Sequence, residues 1–281
     1  MIFGSETMAV TYGLCSAASW GVADFSGGFA TRRNNVFAVV ILSQIIAGVL
    51  LLMVTLALTE GLPPYPQMIW GGVAGVAGAA GIMALYIGLA RGRMGIVSSI
   101  AAVVTAVIPI LFAFFNEGLP PVAKLIGFGF AFVAVWFLTR SEGHTIMQRD
   151  EWLFPLLAGI GFGVFFICID HVSQSAILWP LVAVRVTSIL TVLCFVLTRQ
   201  EIEWPGVKQM PMIAFIGIGD TAGNVFFALA TRLGRLDISA VVASLYPAVT
   251  VLLAWFILKE RLMLRQWIGV GAALCALVLI S

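Results

Sequence analysis

The chain has 281 residues, of which 61% are hydrophobic and 10% are charged, and its formal net charge at pH 7 is +2. An ordinary soluble domain carries about 25% charged residues, and a chain of this length cannot bury so large an apolar fraction in water. The composition therefore excludes a soluble enzyme, a disordered protein and a nucleic-acid-binding protein, and it predicts a polytopic membrane protein.

Apolar segments long enough to cross a bilayer follow one another along the chain. A hydrocarbon core of about 30 Å requires about 20 residues of α-helix, and polar, proline or glycine breaks divide the sequence into ten such segments. We therefore predict an all-α integral membrane protein with ten transmembrane helices. The predicted spans are 8–29, 36–59, 68–89, 95–115, 121–139, 153–170, 177–198, 210–231, 237–258 and 264–280.

The second half of the sequence repeats features of the first. A shift of 142 residues without gaps superposes Trp20-Gly21 on Phe162-Gly163, Gln67-Met68 on Gln209-Met210, Gly75 on Gly217, Gly81 on Gly223, and Gly92-Arg93 on Gly234-Arg235. Five spans per copy is an odd number, so the second copy crosses the membrane upside down, as in many secondary transporters. We expect a first repeat over 1–140, a polar connecting loop over 141–152 and an inverted repeat over 153–281, arranged around a central cavity.

Ionisable residues inside spans 7 and 8 need partners, because a charge at the bilayer centre costs about 2.5–3.5 kcal/mol. Arg185 and Asp220 fall at similar depths in these antiparallel spans, and Asn224 follows Asp220 by one helical turn. Two interpretations remain open. In the first, the cluster is functional: Arg185 binds the carboxylate of a zwitterionic substrate, or Asp220 takes up a proton. In the second, the cluster is a permanent buried ion pair that links two helices.

Three other polar residues are interpreted as structural. Asp24 lies near the far end of predicted span 1, close to Arg32 and Arg33, and we expect an ion pair at the end of that helix. Gln44 and Glu117 are expected to be near-interface or helix-linking groups.

Aromatic residues suggest the walls of a cavity. Trp20 and Tyr246 lie deep in spans 1 and 9, and Tyr86 lies toward the end of span 3. A buried Tyr or Trp needs a partner for its polar atom, which either ordinary packing or a cavity wall can provide. Pro247 leaves a carbonyl without a partner one turn earlier, and such breaks are tolerated beside cavities. We expect spans 3, 4, 8 and 9 to line the cavity.

The sequence lacks the motifs of energy-coupled pumps and of common enzymes. It contains no GxxxxGK[ST], HExxH or GxSxG motif, and its four cysteines have no CxxC spacing. We therefore predict no enzyme activity, no cofactor, no metal site and no associated ATPase subunit. A channel and a membrane enzyme remain the alternatives to a carrier.

Several residues carry a family likeness. They are Trp20-Gly21 in span 1, Arg185 in span 7, and the run from Pro247 to Glu260-Arg261-Leu262, followed by Gln266 and Gly269. With these residues and its two five-span halves, the chain resembles the drug/metabolite transporter superfamily of EamA type, and within it the YddG-like amino-acid exporters. The first half departs from the pattern, since Gly118 follows Glu117 where arginine is expected and Ser43 stands where the second half has Arg185.

The resemblance implies a secondary transporter of the bacterial inner membrane that exports small amphipathic metabolites, amino acids in particular, by alternating access. Its partners would be a small-molecule substrate and the lipid bilayer, with no nucleic acid, and it would function as a monomer. The candidate substrate-binding residues are Trp20, Tyr86, Arg185, Asp220, Asn224 and Tyr246.

The orientation in the membrane stays open. Loops after the odd-numbered spans hold eleven Lys and Arg residues and the opposite side holds three. The positive-inside rule then places both termini outside the cytoplasm, whereas the family resemblance implies cytoplasmic termini.

Overall fold

The computed structural model describes residues 4–91, 94–139, 150–197, 202–258 and 264–280. Over these residues the chain forms eleven α-helices and a 3₁₀ turn at Val207–Gln209. Since α9 and α10 together occupy predicted span 9, the ten-helix fold class is confirmed. The helices are α1 Ser5–Thr31, α2 Val36–Ala57, α3 Tyr65–Arg91, α4 Met94–Glu117, α5 Val122–Thr139, α6 Asp150–Ser173, α7 Leu178–Leu197, α8 Met210–Leu233, α9 Leu236–Ala243, α10 Tyr246–Leu258 and α11 Leu264–Ile280.

The helices have the length and surface of membrane-spanning segments. Among the described residues, six helices are long and apolar enough to cross a bilayer, and shorter apolar segments occupy Val122–Phe137, Leu236–Thr250 and Trp267–Ile280. Helix α1 has 27 residues. Large apolar side chains such as Phe115 and Phe256 are exposed. A surface of this kind is typical of a protein that contacts lipid.

The contacts between helices of the two halves come in corresponding pairs. Helices α1 and α3 of the first repeat correspond to α6 and α8 of the second. Helix α1 packs on α8, and α6 packs on α3 in the same way. In the same way α4 packs on α6 while α9 and α10 pack on α1, and α5 packs on its own counterpart α11. When the two repeats are swapped, each of these contacts becomes another contact of the same set. Two inverted repeats related by a twofold axis require this symmetry. The exact limits 1–140, 141–152 and 153–281 stay predictions, and residues 140–149 lie outside the described ones.

Two contacts between an aromatic ring and a glycine show the same correspondence between the repeats. A Cβ placed on Gly81 would lie 2.9 Å from the ring of Phe162, and a Cβ placed on Gly223 would lie 2.5 Å from the ring of Trp20. The shift of 142 residues matches Gly81 with Gly223 and Phe162 with Trp20. In each repeat, therefore, the first helix places an aromatic ring against a glycine in the third helix of the other repeat.

The ninth span is interrupted near its middle. Helix α9 ends at Ala243 and α10 begins at Tyr246. The break occurs there because Pro247 has no N–H to donate to the carbonyl of Ala243, one turn earlier. The corresponding helix α4 runs without interruption through Pro109. The backbone of the second repeat therefore differs from that of the first at this point.

The start of α7 is capped by a side chain from the loop after α2. The carboxylate of Glu60 accepts hydrogen bonds from the backbone N–H groups of Ile177, Leu178 and Trp179 at 3.1, 2.8 and 3.0 Å. The first N–H groups of a helix have no partner within the helix, and a negative charge near them is favourable. Glu60 therefore joins the end of span 2 to the beginning of span 7.

We expect Glu60→Ala to lower the free energy of unfolding by about 1 kcal/mol, the usual effect of removing a side-chain cap. Thermal unfolding in detergent measures this change. The control is Glu6→Ala in the first turn of α1, because Glu6 is 62% exposed and forms only a surface ion pair with Lys124. Equal melting temperatures for the two variants would contradict a capping role for Glu60.

Candidate functional site

A cavity lies between the two repeats. It contains about 590 Å³ of empty space, including the part that is open to the outside. Spans 3, 4, 8 and 9, which were expected to line the cavity, all contribute to it, with α10 representing span 9, and α1, α2, α6 and α7 contribute as well. The lining residues in the described part of the chain are Trp20, Asp24, Gln44, Gly75, Gly78, Ile82, Thr105, Phe162, Phe165, Phe166, Val184, Arg185, Ser188, Asp220, Asn224 and Tyr246.

A buried arginine forms the centre of a polar cluster in this cavity. Arg185 on α7 is only 3% exposed. Its Nη1 donates to Asp220 Oδ2 and to Gln44 Oε1, both at 2.5 Å. Its Nη2 donates to Thr221 Oγ1 at 3.0 Å. One carboxylate and two neutral oxygen acceptors together compensate much of the cost of burying a guanidinium group. The positive charge of Arg185 is thus balanced by Asp220 without any ligand.

Stacked aromatic rings form an apolar wall. The ring of Trp20 stacks on Phe166 with centroids 5.4 Å apart, and Phe166 stacks on Phe227 at 4.1 Å. The indole Nε1 of Trp20 donates to Asn224 Oδ1 at 3.2 Å. The stack fixes the orientation of Trp20, and the hydrogen bond satisfies its one polar atom. The cavity therefore has a flat apolar surface beside a carboxamide group.

The two tyrosines among the candidate residues occupy different positions. Tyr246, at the start of α10, lines the cavity. Tyr86 is fully buried outside the lining, with its hydroxyl packed against Gly27. Neither hydroxyl has a hydrogen-bond partner within the described residues. Of the six candidate residues, the structure thus places five in the cavity and leaves Tyr86 outside its lining.

Asp24 is in the cavity, so the expected ion pair with Arg32 and Arg33 is wrong. Helix α1 continues to Thr31, which places Asp24 about two turns inside the helix. Arg32 and Arg33 are exposed beyond it, and Arg33 lies over the ring of Phe29. Within the described residues, Asp24 has no hydrogen-bond or ion-pair partner.

The other two polar residues have separate roles. Gln44 is buried at the Arg185 cluster, so the near-interface interpretation does not hold for it, while the helix-linking one does. Glu117 lies 3.6 Å from Arg235, outside the cavity, and so links the end of α4 to the α8–α9 connection. A hydrogen bond from Arg235 to Asp237 raises the pKa of that guanidinium group.

The phenylalanines of α6 are the main residues that sequence reasoning missed. Phe162, Phe165 and Phe166 all line the cavity. A signal existed for Phe162, because the 142-residue shift matches it with Trp20. Phe165 and Phe166 lie in an apolar run whose lipid-facing and cavity-facing positions look alike in the sequence. In the described part of the chain, no group of three His, Cys, Asp or Glu side chains is placed to hold a metal ion.

Comparison with known protein families decides the class of this protein. The EamA-like transporter family matches residues 7–140 and, a second time, residues 151–281. The chain belongs to the EamA-like transporter family. It is therefore a multi-pass membrane protein of a family of small-solute transporters, and its two halves each correspond to one family unit.

Solved structures agree with the fold of this EamA-like protein. One crystal structure of a protein matches it with a TM-score of 0.78 at 18% sequence identity, covering 95% of this chain and 97% of the other. At that identity the likeness shows the fold alone. No curated protein matches the sequence significantly.

Proposed function

We propose that this EamA-like transporter is a secondary carrier of the bacterial inner membrane that exports small amphipathic metabolites by alternating access. Amino acids, including aromatic and hydrophobic ones as in YddG-like exporters, are the proposed substrates. The observation that carries the proposal is the cavity between the repeats, which combines a stacked aromatic wall with charged and amide side chains. Mostly apolar cavities with a few polar groups are typical of small-molecule sites.

The lining residues suggest a division of roles for an amphipathic substrate. Its apolar side chain would lie against Trp20 and Phe166, and Asn224 would hydrogen-bond its polar part. Its carboxylate would bind Arg185 by replacing Asp220 as the partner of the guanidinium group. This exchange of one anionic partner for another would avoid leaving the buried arginine unpaired.

The arrangement of the two repeats supports alternating access. Inverted repeats allow one packing scheme to form two related conformations that open to opposite sides of the membrane. The lining comes from both repeats of one chain, so a monomer provides a complete site. Nucleotide hydrolysis has no part in the proposed cycle.

Counterflow into proteoliposomes tests the proposal. We expect unlabelled phenylalanine inside the vesicles to accelerate the entry of labelled phenylalanine, with saturation and without nucleotide, because a carrier returns faster when loaded. Protein-free liposomes are the control. The experiment is extended to a panel of amino acids, with and without a pH gradient. A flux that rises linearly with concentration would favour a channel, and the absence of flux for the whole panel would contradict amino-acid transport.

A further inference from the structure

The charges of the ionisable side chains that line the cavity do not cancel. Three charged side chains line it in the described part of the chain: Asp24, Arg185 and Asp220. Arg185 and Asp220 neutralise each other in an ion pair of 2.5 Å. Asp24 has no cation beside it within the described residues. An unpaired carboxylate at membrane depth is costly, and such residues are usually functional.

Two residues that line the same cavity have hydroxyl groups without a hydrogen-bond partner in the described residues. Thr105 is 1% exposed and Tyr246 is 4% exposed, both line the cavity, and neither hydroxyl has a hydrogen-bond partner in the described residues. Helix α1, which carries Asp24, packs closely on the start of α10, because a Cβ placed on Gly21 would lie 2.6 Å from the backbone carbonyl of Tyr246. Buried polar groups are almost always hydrogen-bonded, so these two hydroxyls can serve as hydrogen-bond partners of a polar group that binds in the cavity.

Asp24, Thr105 and Tyr246 are on helices other than those that carry the arginine cluster. Asp24, Thr105 and Tyr246 come from α1, α4 and α10, whereas the arginine cluster comes from α2, α7 and α8. An ionised carboxylate only accepts hydrogen bonds, and hydroxyl oxygens accept them as well. The group that would satisfy this set is therefore a positively charged donor, and an anion at the same place would be repelled.

We propose that Asp24, Thr105 and Tyr246 form a subsite that binds the protonated amino group of the substrate. An alkylammonium group has three N–H donors, one for each of the three side chains. This inference rests on the proposed transport function and deepens it. The transporter selects amphipathic substrates that carry a cationic amine, because Asp24 has no counter-charge among the described residues whereas Arg185 already pairs with Asp220.

Binding to the purified protein in detergent tests the subsite without requiring transport. Two probes share the benzyl side chain of phenylalanine. Phenylalaninamide keeps the cationic amine and lacks the carboxylate, whereas N-acetylphenylalanine keeps the carboxylate and lacks the amine. By isothermal titration calorimetry, we expect the unmodified protein to bind phenylalaninamide at least about tenfold more tightly, because only that probe can pair with Asp24.

Asp24→Asn removes the charge with little change in shape. We expect it to weaken phenylalaninamide binding at least about tenfold and to leave N-acetylphenylalanine binding unchanged or stronger. Glu6→Gln is the matched control, since it makes the same chemical change on the same helix at a residue that is 62% exposed. Tyr246→Phe removes one hydroxyl and keeps the charge, and we expect it to weaken phenylalaninamide binding several-fold. It therefore tests the subsite even if Asp24→Asn does not fold.

The outcomes separate this inference from the proposed function. Equal binding of phenylalaninamide by the unmodified protein, Asp24→Asn and Tyr246→Phe would overturn the subsite, and so would preferential binding of N-acetylphenylalanine. The unmodified protein could show counterflow of phenylalanine while Asp24→Asn leaves the preference for the amine unchanged. That result would support the transport function and contradict the subsite. Amine binding that depends on Asp24, without counterflow of any amino acid, would support the subsite and contradict the proposed function.

Discussion

Replacement of Arg185 by alanine is expected to abolish transport. The substitution removes the proposed carboxylate-binding group and leaves Asp220 and Gln44 without their common donor. Loss of one partner from a buried ion pair typically costs about 3–5 kcal/mol, because the remaining charge is uncompensated. The measurement is the initial rate of phenylalanine counterflow in proteoliposomes at equal protein density. Trp152→Ala is the control, since Trp152 is an exposed residue near the start of α6 and its loss should hardly change the rate.

A double variant distinguishes substrate binding from a purely structural ion pair. Arg185→Gln combined with Asp220→Asn removes both charges and keeps groups that can hydrogen-bond to each other. Because no buried charge is left unpaired, the double variant should unfold at a higher temperature than Arg185→Ala. Its transport should remain absent, since the cavity still lacks the guanidinium group. Normal counterflow by the double variant would show that the pair only links α7 to α8.

Replacement of Gly75 by alanine is expected to separate two helices that line the cavity. A Cβ at this position would overlap the Thr187 hydroxyl and the backbone carbonyl of Val184 on α7. Backbone atoms cannot move aside without displacing α7, so overpacking of about 1–3 kcal/mol is expected. In detergent, the variant should unfold at a temperature several degrees below that of the unmodified protein. It should also transport more slowly, because α3 and α7 both contribute to the cavity.

Two other glycines provide the controls for this substitution. At Gly129 on α5, no atom of the described residues outside the glycine's own stretch of helix lies within 4 Å of the position that a Cβ would occupy. Gly129→Ala should therefore leave both stability and transport unchanged. Gly217, which the 142-residue shift matches with Gly75, faces the backbone carbonyl of Ser43 in the same close manner. Gly217→Ala should therefore cause a loss similar to that of Gly75→Ala. Normal stability of both crowded variants would contradict close helix packing at these positions.

The helices and the relation between the two halves were predictable from the sequence, because each depends on local composition or on internal similarity. Apolar length defined the spans, and the register that matches Trp20 with Phe162 predicted two related halves. The structure joins these halves as that register requires. Pro247 marked a weak point in span 9, but whether the helix bends or breaks depends on its neighbours. A proline in α4, Pro109, causes no break.

The site was predictable only in part, because helix packing determines how deep each side chain lies in the membrane and whether it faces the cavity or the lipid. Arg185 and Asp220 were found since a charge in an apolar run is conspicuous. Asp24 was misassigned because its nearest charges in the sequence are Arg32 and Arg33. The extra turns of α1 place those arginines beyond the cavity. Phe166 carried no signal of its own, since phenylalanine is equally common against lipid and against a cavity.

The partners of Arg185 also bear on how the nascent chain enters the membrane. Helix α2 is synthesised before α7, so the amide of Gln44 is already present when Arg185 arrives. Asp220 follows 35 residues later on the next helix. An isolated arginine in lipid costs about 2.5–3.5 kcal/mol. Gln44 can lower this cost by accepting a hydrogen bond, but the charge of Arg185 is not neutralised until α8 brings Asp220. The seventh and eighth helices are therefore expected to partition into the bilayer together, as a hairpin, and a ribosome that stops between them leaves the arginine without its counter-charge.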